Sequence, residues 1–375
     1  LGKDIACTPG KVVYENELMQ LIQYEPTTDK VQKVPLLLIP AWINKYYVLD
    51  MQPHNSMVKW LVDEGFTVFI ISWVNPDKKH QNTSFDDYLM LGAWEAAQTA
   101  LEITGEEKLH IAGYCLGGTL LACLMAWLEA GDEAGCVASA TYLTTLVDFD
   151  QAGDLKVFTD ESQIKVLEKT LEARGYLEGN EMAAIFNALR PQDLIWSFVV
   201  NNYLLGKAPA SFDLLYWNND ATRMPAKMHL FYLREMYLNN NLAKGKITLS
   251  GRKIDLKRIL VPSYVLATQE DHISPWRATY AATQLYRGER RFVLSGSGHI
   301  AGVVNPPVKK KYGWRDAEKL PEDANQWFEH SEAHEGSWWI DWREWLLKRD
   351  HHTVPARKIK NALEAAPGSY VKQRS

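Results

Sequence analysis

Leu109-His110-Ile111-Ala112-Gly113-Tyr114-Cys115-Leu116-Gly117-Gly118-Thr119-Leu120-Leu121-Ala122-Cys123-Leu124-Met125-Ala126-Trp127-Leu128 is the stretch that decides the fold. An apolar run of strand length comes first, then glycines around a cysteine, then an apolar run of helix length. The order predicts strand, sharp turn and helix, with Cys115 on the turn. Gly113 and Gly117, two before and two after it, let strand and helix approach closely around a strained backbone. The helix N-terminus directs partial positive charge at the thiol. A cysteine so placed points to acyl transfer through a thioester, an unusual choice for simple ester hydrolysis.

Outward from this turn, buried strands alternate with helices. Lys11 to Tyr24 reads as a hairpin. Val34 to Pro40 and Phe66 to Trp73 read as buried strands, with a short helix from Met57 to Glu64 between them, closed by Gly65. Ser84 opens a helix, with Asp87 as capping-box partner. That helix is expected to end at Gly105. Val137 to Val147 is a further strand, and Pro262 to Thr268 and Arg291 to Ser295 resume the series. The alternation predicts a mostly parallel sheet flanked by helices, and the Cys115 turn specifies it as the α/β-hydrolase fold.

Between about Asp148 and Lys257 the pattern turns helical: Ser162 to Arg174, Glu181 to Leu189, Leu194 to Leu205 and Pro225 to Leu238. The expected organisation is therefore a core over 1–147, a helical cap insertion over 148–257, and the rest of the core over 258–375, ending in a Trp-rich helix. The last twenty or so residues are basic and contain Pro, Gly and Ser, so fraying is expected.

The 375 residues are 46% hydrophobic, enough for a substantial core, and the net charge of −5 gives no sign of a nucleic-acid partner. Cys7, Cys115, Cys123 and Cys136 match no zinc or redox spacing, and no metal site is expected. A reducing cytoplasm suits a reactive Cys115. No apolar run has the length of a transmembrane helix. The sequence opens on Leu1 with no signal peptide and reads as a piece of a longer chain.

In this fold the acid and the histidine follow the nucleophile in chain order. Asp271 ends one strand in Gln269-Glu270-Asp271-His272, and His299 follows the next in Ser295-Gly296-Ser297-Gly298-His299. Both fall at the carboxyl ends of strands, where such sheets carry their sites. His299 is expected to take the Cys115 proton, and Asp271 to hold the other ring nitrogen. Glu270, Asp148 and Asp150 are rivals for the acid. The oxyanion hole calls for backbone N–H donors: that of Leu116 after the nucleophile, and that of Ile43 in the loop Pro40 to Lys45.

Other residues read as structural. Cys123 and Cys136 lack the turn and are expected in the core. His272 is expected to be structural. His330 and His334, at helical spacing, do not complete a HExxH zinc motif and read as a solvated helix face. Lys309-Lys310-Lys311 reads as a solvated loop, with contact to a substrate phosphate as the alternative. Trp338, Trp342 and Trp345 read as core packing, with a polymer- or membrane-facing surface as the alternative.

With these residues placed, the chain resembles the catalytic domain of class I polyhydroxyalkanoate synthases. The matching pieces are Pro40 to Tyr47, Ser72 to Pro76, Gly113 to Gly118, Asp193 to Trp196, Leu215 to Asn218, Gln269 to Ile273, Gly296 to Gly302 and Gly336 to Trp339. The resemblance implies an acyltransferase that joins (R)-3-hydroxyacyl-CoA units, typically 3-hydroxybutyryl-CoA, onto a growing polyester chain with release of CoA. It implies no cofactor, CoA being the leaving group. It also implies a homodimer, cytoplasmic and associated with the polyester granule surface. Such synthases carry an additional N-terminal domain, which this sequence is expected to lack. Two other readings stay open: a thioesterase or polyester depolymerase with the same triad, and a non-catalytic granule-binding protein on the same fold.

Overall fold

The computed structural model describes residues 1–153, 156, 159–181 and 213–374. Among these, eleven strands form one sheet. In chain order they are β1 (Gly10–Glu15), β2 (Met19–Tyr24), β3 (Leu36–Ile39), β4 (Val68–Trp73), β5 (Leu109–Tyr114), β6 (Val137–Leu143), β7 (Ser263–Thr268), β8 (Arg290–Ser295), β9 (Trp314–Asp316), β10 (Glu332–His334) and β11 (Glu364–Ala365). Across the sheet they run β10-β9-β8-β7-β6-β5-β3-β4-β2-β1-β11. The six from β8 to β4 are parallel, and antiparallel strands extend both edges.

The principal helices are α1 (Met57–Asp63), α2 (Glu95–Thr104), α3 (Leu116–Ala130), α4 (Glu161–Arg174), α5 (Asp213–Asn219), α6 (Ala226–Phe231), α7 (Trp276–Tyr280), α8 (Ala324–His330) and α9 (Trp339–Leu347). The central strands are apolar on both faces because both faces are covered. Leu37, Ile39, Phe69, Ile71, Leu109 and Ile111 pack with α3 in one core. Their neighbours Leu36, Leu38, Val68, Ile70, Ala112 and Tyr114 pack with Trp338, Trp339, Trp342 and Trp345 in the other. The two-residue period of the strands makes this division. The tryptophan row is thus core, as its spacing predicts.

The Ser84–Asp87 capping box forms, and α2 ends at Gly105 with φ 68. Between them the helix widens to a π-helical stretch over Tyr88–Trp94. A second follows α6 over Tyr232–Leu238. Periodicity alone reads such stretches as ordinary α-helix. Of the helices expected over 148–257, those from Glu181 to Leu189 and from Leu194 to Leu205 fall outside the described residues, apart from Glu181.

Two expectations are corrected. His330 closes α8, but His334 lies on β10, stacked on Trp314 and bonded through Nε2 to Asp316 at 2.7 Å. Ser331 ends the helix between them. The C-terminal segment is docked, not frayed. β11 pairs with β1, Val371 is buried, and the Gln20 side chain bonds Glu364, Ser369 and the Tyr370 N–H. Cys136 is half-buried at the margin of the core, while Cys123 is fully inside it. No helix among the described residues is long and apolar enough to cross a membrane.

Candidate active site

Cys115 sits between β5 and α3 with φ 54 and ψ −120, a strained conformation for a residue with a side chain. The surroundings hold it there. Its N–H donates to Leu143 O at 2.9 Å, and its carbonyl accepts from Gly118 N at 2.9 Å and Thr119 N at 3.2 Å. A Cβ on Gly113 would stand 2.5 Å from the Gly118 Cα, and one on Gly117 would overlap the Ile39 carbonyl oxygen. Both glycines therefore have the steric role read from their spacing. Gly118, not singled out by spacing, is equally constrained, because a Cβ there would overlap the Thr145 hydroxyl.

Asp271 and His299 come from the loops after β7 and β8, adjacent parallel strands in register from Ser263–Arg290 to Thr268–Ser295. The His299 Nδ1 and Asp271 Oδ2 are 2.7 Å apart, and both residues are buried. Asp271 Oδ1 accepts from the N–H groups of Ile273 at 2.9 Å and Ser274 at 2.8 Å. Its Oδ2 also accepts from Thr268 Oγ1 at 3.2 Å. The carboxylate is thereby fixed in place. His299 pairs with Asp271 and not with Glu270, Asp148 or Asp150; Asp148 is instead bonded by Asn240.

Burial works against a charged imidazole at His299. The negative charges of Asp271 and Cys115, with a hydrogen bond to each, outweigh it and hold the His299 pKa well above its usual value. Thiol, imidazole and carboxylate thus form one line of interaction. The loop that carries His299 is pinned from below. Trp338 Nε1 donates to Gly302 O at 2.9 Å, and Trp339 Nε1 to Val303 O at 2.8 Å.

Cys115, His299 and Ile43 line one cavity of about 340 Å³, with Pro40, Trp217 and Ile300 among its other walls. Leu116 is buried as the first residue of α3, where an N–H has no partner within its own helix. Asp271 stands behind His299, outside the cavity lining. The Ile43 loop is tied to α5 and the segment after it: Thr222 N donates to Ile43 O at 3.0 Å, Asn44 bridges to Ala221, and Trp217 Nε1 donates to Lys45 O at 2.7 Å.

Sequence reasoning passed over several neighbours of the thiol. The Tyr114 ring lies 5.5 Å from that of His299. On the second π-helical stretch Tyr237 is buried and Tyr232 half-buried; desolvation raises both phenols, and each stands near enough to Cys115 for its charge to add to the shift. Their place in a run of alternating aromatics gave no separate signal. Lys45 is buried in the cavity wall, and burial lowers its pKa to about 8.

The family model described as "alpha/beta hydrolase fold" matches residues 34–306. A second, described as "Poly-beta-hydroxybutyrate polymerase (PhaC) N-terminus", matches residues 1–61. That match covers β1 to β3 and most of α1. A poly(3-hydroxyalkanoate) polymerase of Methylorubrum extorquens is 51% identical over 100% of this chain and 62% of its own length. The poly(3-hydroxyalkanoate) polymerase subunit PhaC of Cupriavidus necator is 45% identical over 100% and 65%. Poly(3-hydroxyalkanoate) polymerase 2 of Ectopseudomonas oleovorans is 40% identical over 100% and 68%. The chain thus spans roughly two-thirds, or somewhat less, of the length of these relatives. With an α/β-hydrolase fold, a cysteine on its sharp turn and this similarity along its whole length, the chain belongs to the poly(3-hydroxyalkanoate) polymerase family.

Proposed function

We propose that this chain polymerises (R)-3-hydroxyacyl-CoA, 3-hydroxybutyryl-CoA foremost, into polyester with release of CoA, through a thioester on Cys115. The observation that supports it most is Cys115 on a strained turn, sharing a cavity with a His299 that Asp271 holds at 2.7 Å. Cys115 Sγ attacks the thioester carbonyl as its proton passes to His299 Nε2. The N–H groups of Leu116 and Ile43 hold the developing oxyanion. The C–S bond to CoA breaks, and the CoA sulfur takes the proton from His299. The 3-hydroxyl of a second unit then attacks the acyl-cysteine as His299 accepts its proton; the C–S bond to Cys115 breaks, His299 returns that proton to the cysteine sulfur, and Cys115 is free to be loaded again. Exchange of one thioester for another keeps the acyl group activated for the ester-forming step. The hydrogen bonds at both Asp271 oxygens favour an orienting role for it over direct action on the substrate hydroxyl. The sequence of steps needs no resident cofactor.

Polymerisation requires that a hydroxyl outcompete water. The described residues 213–257 of the expected cap shelter the thiol, with Tyr232 and Tyr237 near it and the bonds of Trp217 and Thr222 tying them to the Ile43 loop. The homodimer and the cytoplasmic granule surface belong to the same reading.

Brief incubation with 3-hydroxybutyryl-CoA, followed by peptide mapping by mass spectrometry, tests the reading. An acyl adduct on Cys115 together with oligomer growth is expected. Adduct formation followed only by monomeric 3-hydroxybutyrate would assign the chain to the hydrolases. No adduct and no CoA release would leave it a binding protein.

A further inference from the structure

A second cavity, of about 360 Å³, adjoins the one that holds Cys115; the two share Ala301. Its lining includes His54, Asn305, Lys309, Lys311 and Asp213. Lys309 and Lys311 are exposed, and among the described residues neither has a carboxylate partner. The one carboxylate in the lining is already engaged: Asp213 accepts from Asn55 Nδ2 at 2.9 Å and from the Leu214 N–H at 2.9 Å. On a chain of net charge −5, two ammonium groups beside the nucleophile's cavity, without a carboxylate partner among the described residues, single out an anionic ligand.

The inner wall adds a second observation. Asn305 is 1% exposed, and its Nδ2 donates to Lys311 O at 2.8 Å. That bond fixes which end of the amide is the donor. Its Oδ1 is then a buried acceptor with no donor among the described residues. A buried acceptor left unpaired is costly, and the cost is relieved when a ligand brings an N–H. Cations at the rim and an acceptor at the wall match a carrier that bears phosphates at one end and amide N–H groups along its arm.

We propose that this second cavity, over His54, Asn305, Lys309 and Lys311, holds the phosphate-bearing part of the CoA carrier while the acyl group lies against Cys115. The inference rests on the reading of the substrate as a CoA thioester. It gives the loop 305–312 a substrate-binding role beside its neighbour His299.

The double variant Lys309→Ala/Lys311→Ala tests it on two substrates, 3-hydroxybutyryl-CoA and the corresponding pantetheine thioester, which has no phosphate. The KM for the CoA ester is expected to rise about tenfold or more, since hydrogen bonds to charged groups are the strong ones. The KM for the pantetheine ester and both kcat values are expected to stay within about twofold, and Lys309→Arg/Lys311→Arg to restore most of the affinity. An unchanged KM for the CoA ester, or equal rises for both esters, overturns the proposal. If the parent chain releases no CoA, the polymerase reading fails by itself. Calorimetry with desulfo-CoA then decides the site: weaker binding by the alanine variant supports it, and equal or no binding by both proteins overturns it.

Discussion

At Cys115 the left-handed backbone costs on the order of 1–3 kcal/mol, and the hydrogen bonds to Leu143, Gly118 and Thr119 hold it there. Cys115 and His299 line the same cavity. Cys115→Ala is expected to abolish acyl-adduct formation while leaving the unfolding free energy, measured by urea titration, within about 1 kcal/mol of the parent. Asp271→Asn acts one step removed. It is expected to lower kcat/KM by about 10²–10⁴-fold, the range of general acid–base effects. It also removes the largest influence raising the His299 pKa. The folded value lies above the unfolded one, so the stabilisation from this charge is full below the unfolded value of about 6.5 and fades as pH rises through the raised value. Urea midpoints measured against pH should show that loss in the parent and a flatter profile in Asp271→Asn.

Among the elements, the strand–turn–helix of β5 and α3 was the most legible in sequence because its constraint is local. Gly113 and Gly117 face backbone atoms a few residues away or on the neighbouring strand, so small side chains are required whatever the rest of the chain does. Gly117→Ala places its Cβ on the Ile39 carbonyl oxygen, which no rotamer change can relieve. It is expected to destabilise by about 3 kcal/mol or more in urea unfolding and to abolish CoA release. The tryptophan row read correctly as core, but its second task did not show in the spacing: the indole N–H groups of Trp338 and Trp339 tether the His299 loop. Trp338→Phe should cost about 1 kcal/mol through the lost hydrogen bond, with a larger proportional loss in kcat than in stability. Tyr232 and Tyr237 were not legible because their approach to Cys115 depends on a widened helix turn and on the packing of Phe149, both set by tertiary contact. The same holds for His334, whose spacing matched a helix but whose partners Trp314 and Asp316 belong to a sheet edge.

On the scale of the whole molecule, the basic, turn-rich C-terminal segment looks unstructured by composition. Its order comes from partners more than three hundred residues earlier, Gln20 above all, and no local pattern announces them. The segment ends at Lys45, whose Nζ donates to Gln373 O at 2.5 Å. Burial lowers the Lys45 pKa from 10.5 to about 8, so the folded chain favours the neutral amine. Below pH 8 the folded protein carries the full cost of the buried charge, on the order of 3 kcal/mol. Stability from this group therefore rises as pH climbs from about 8 toward 10.5. Lys45→Met should abolish that rise in urea midpoint between pH 8 and 10, whatever the net change at neutral pH.

The ties between the Ile43 loop and residues 217–222 have a consequence for timing. The backbone assigned to receive negative charge during acyl transfer is the same backbone that the cap grips through Trp217, Ala221 and Thr222. On the proposed reading, swinging that segment outward to admit a monomer would pull on the donor loop at the same moment. On that reading an unlatched entrance coincides with a disarmed reagent, so a loaded cysteine would be least reactive when water has its best chance to reach it.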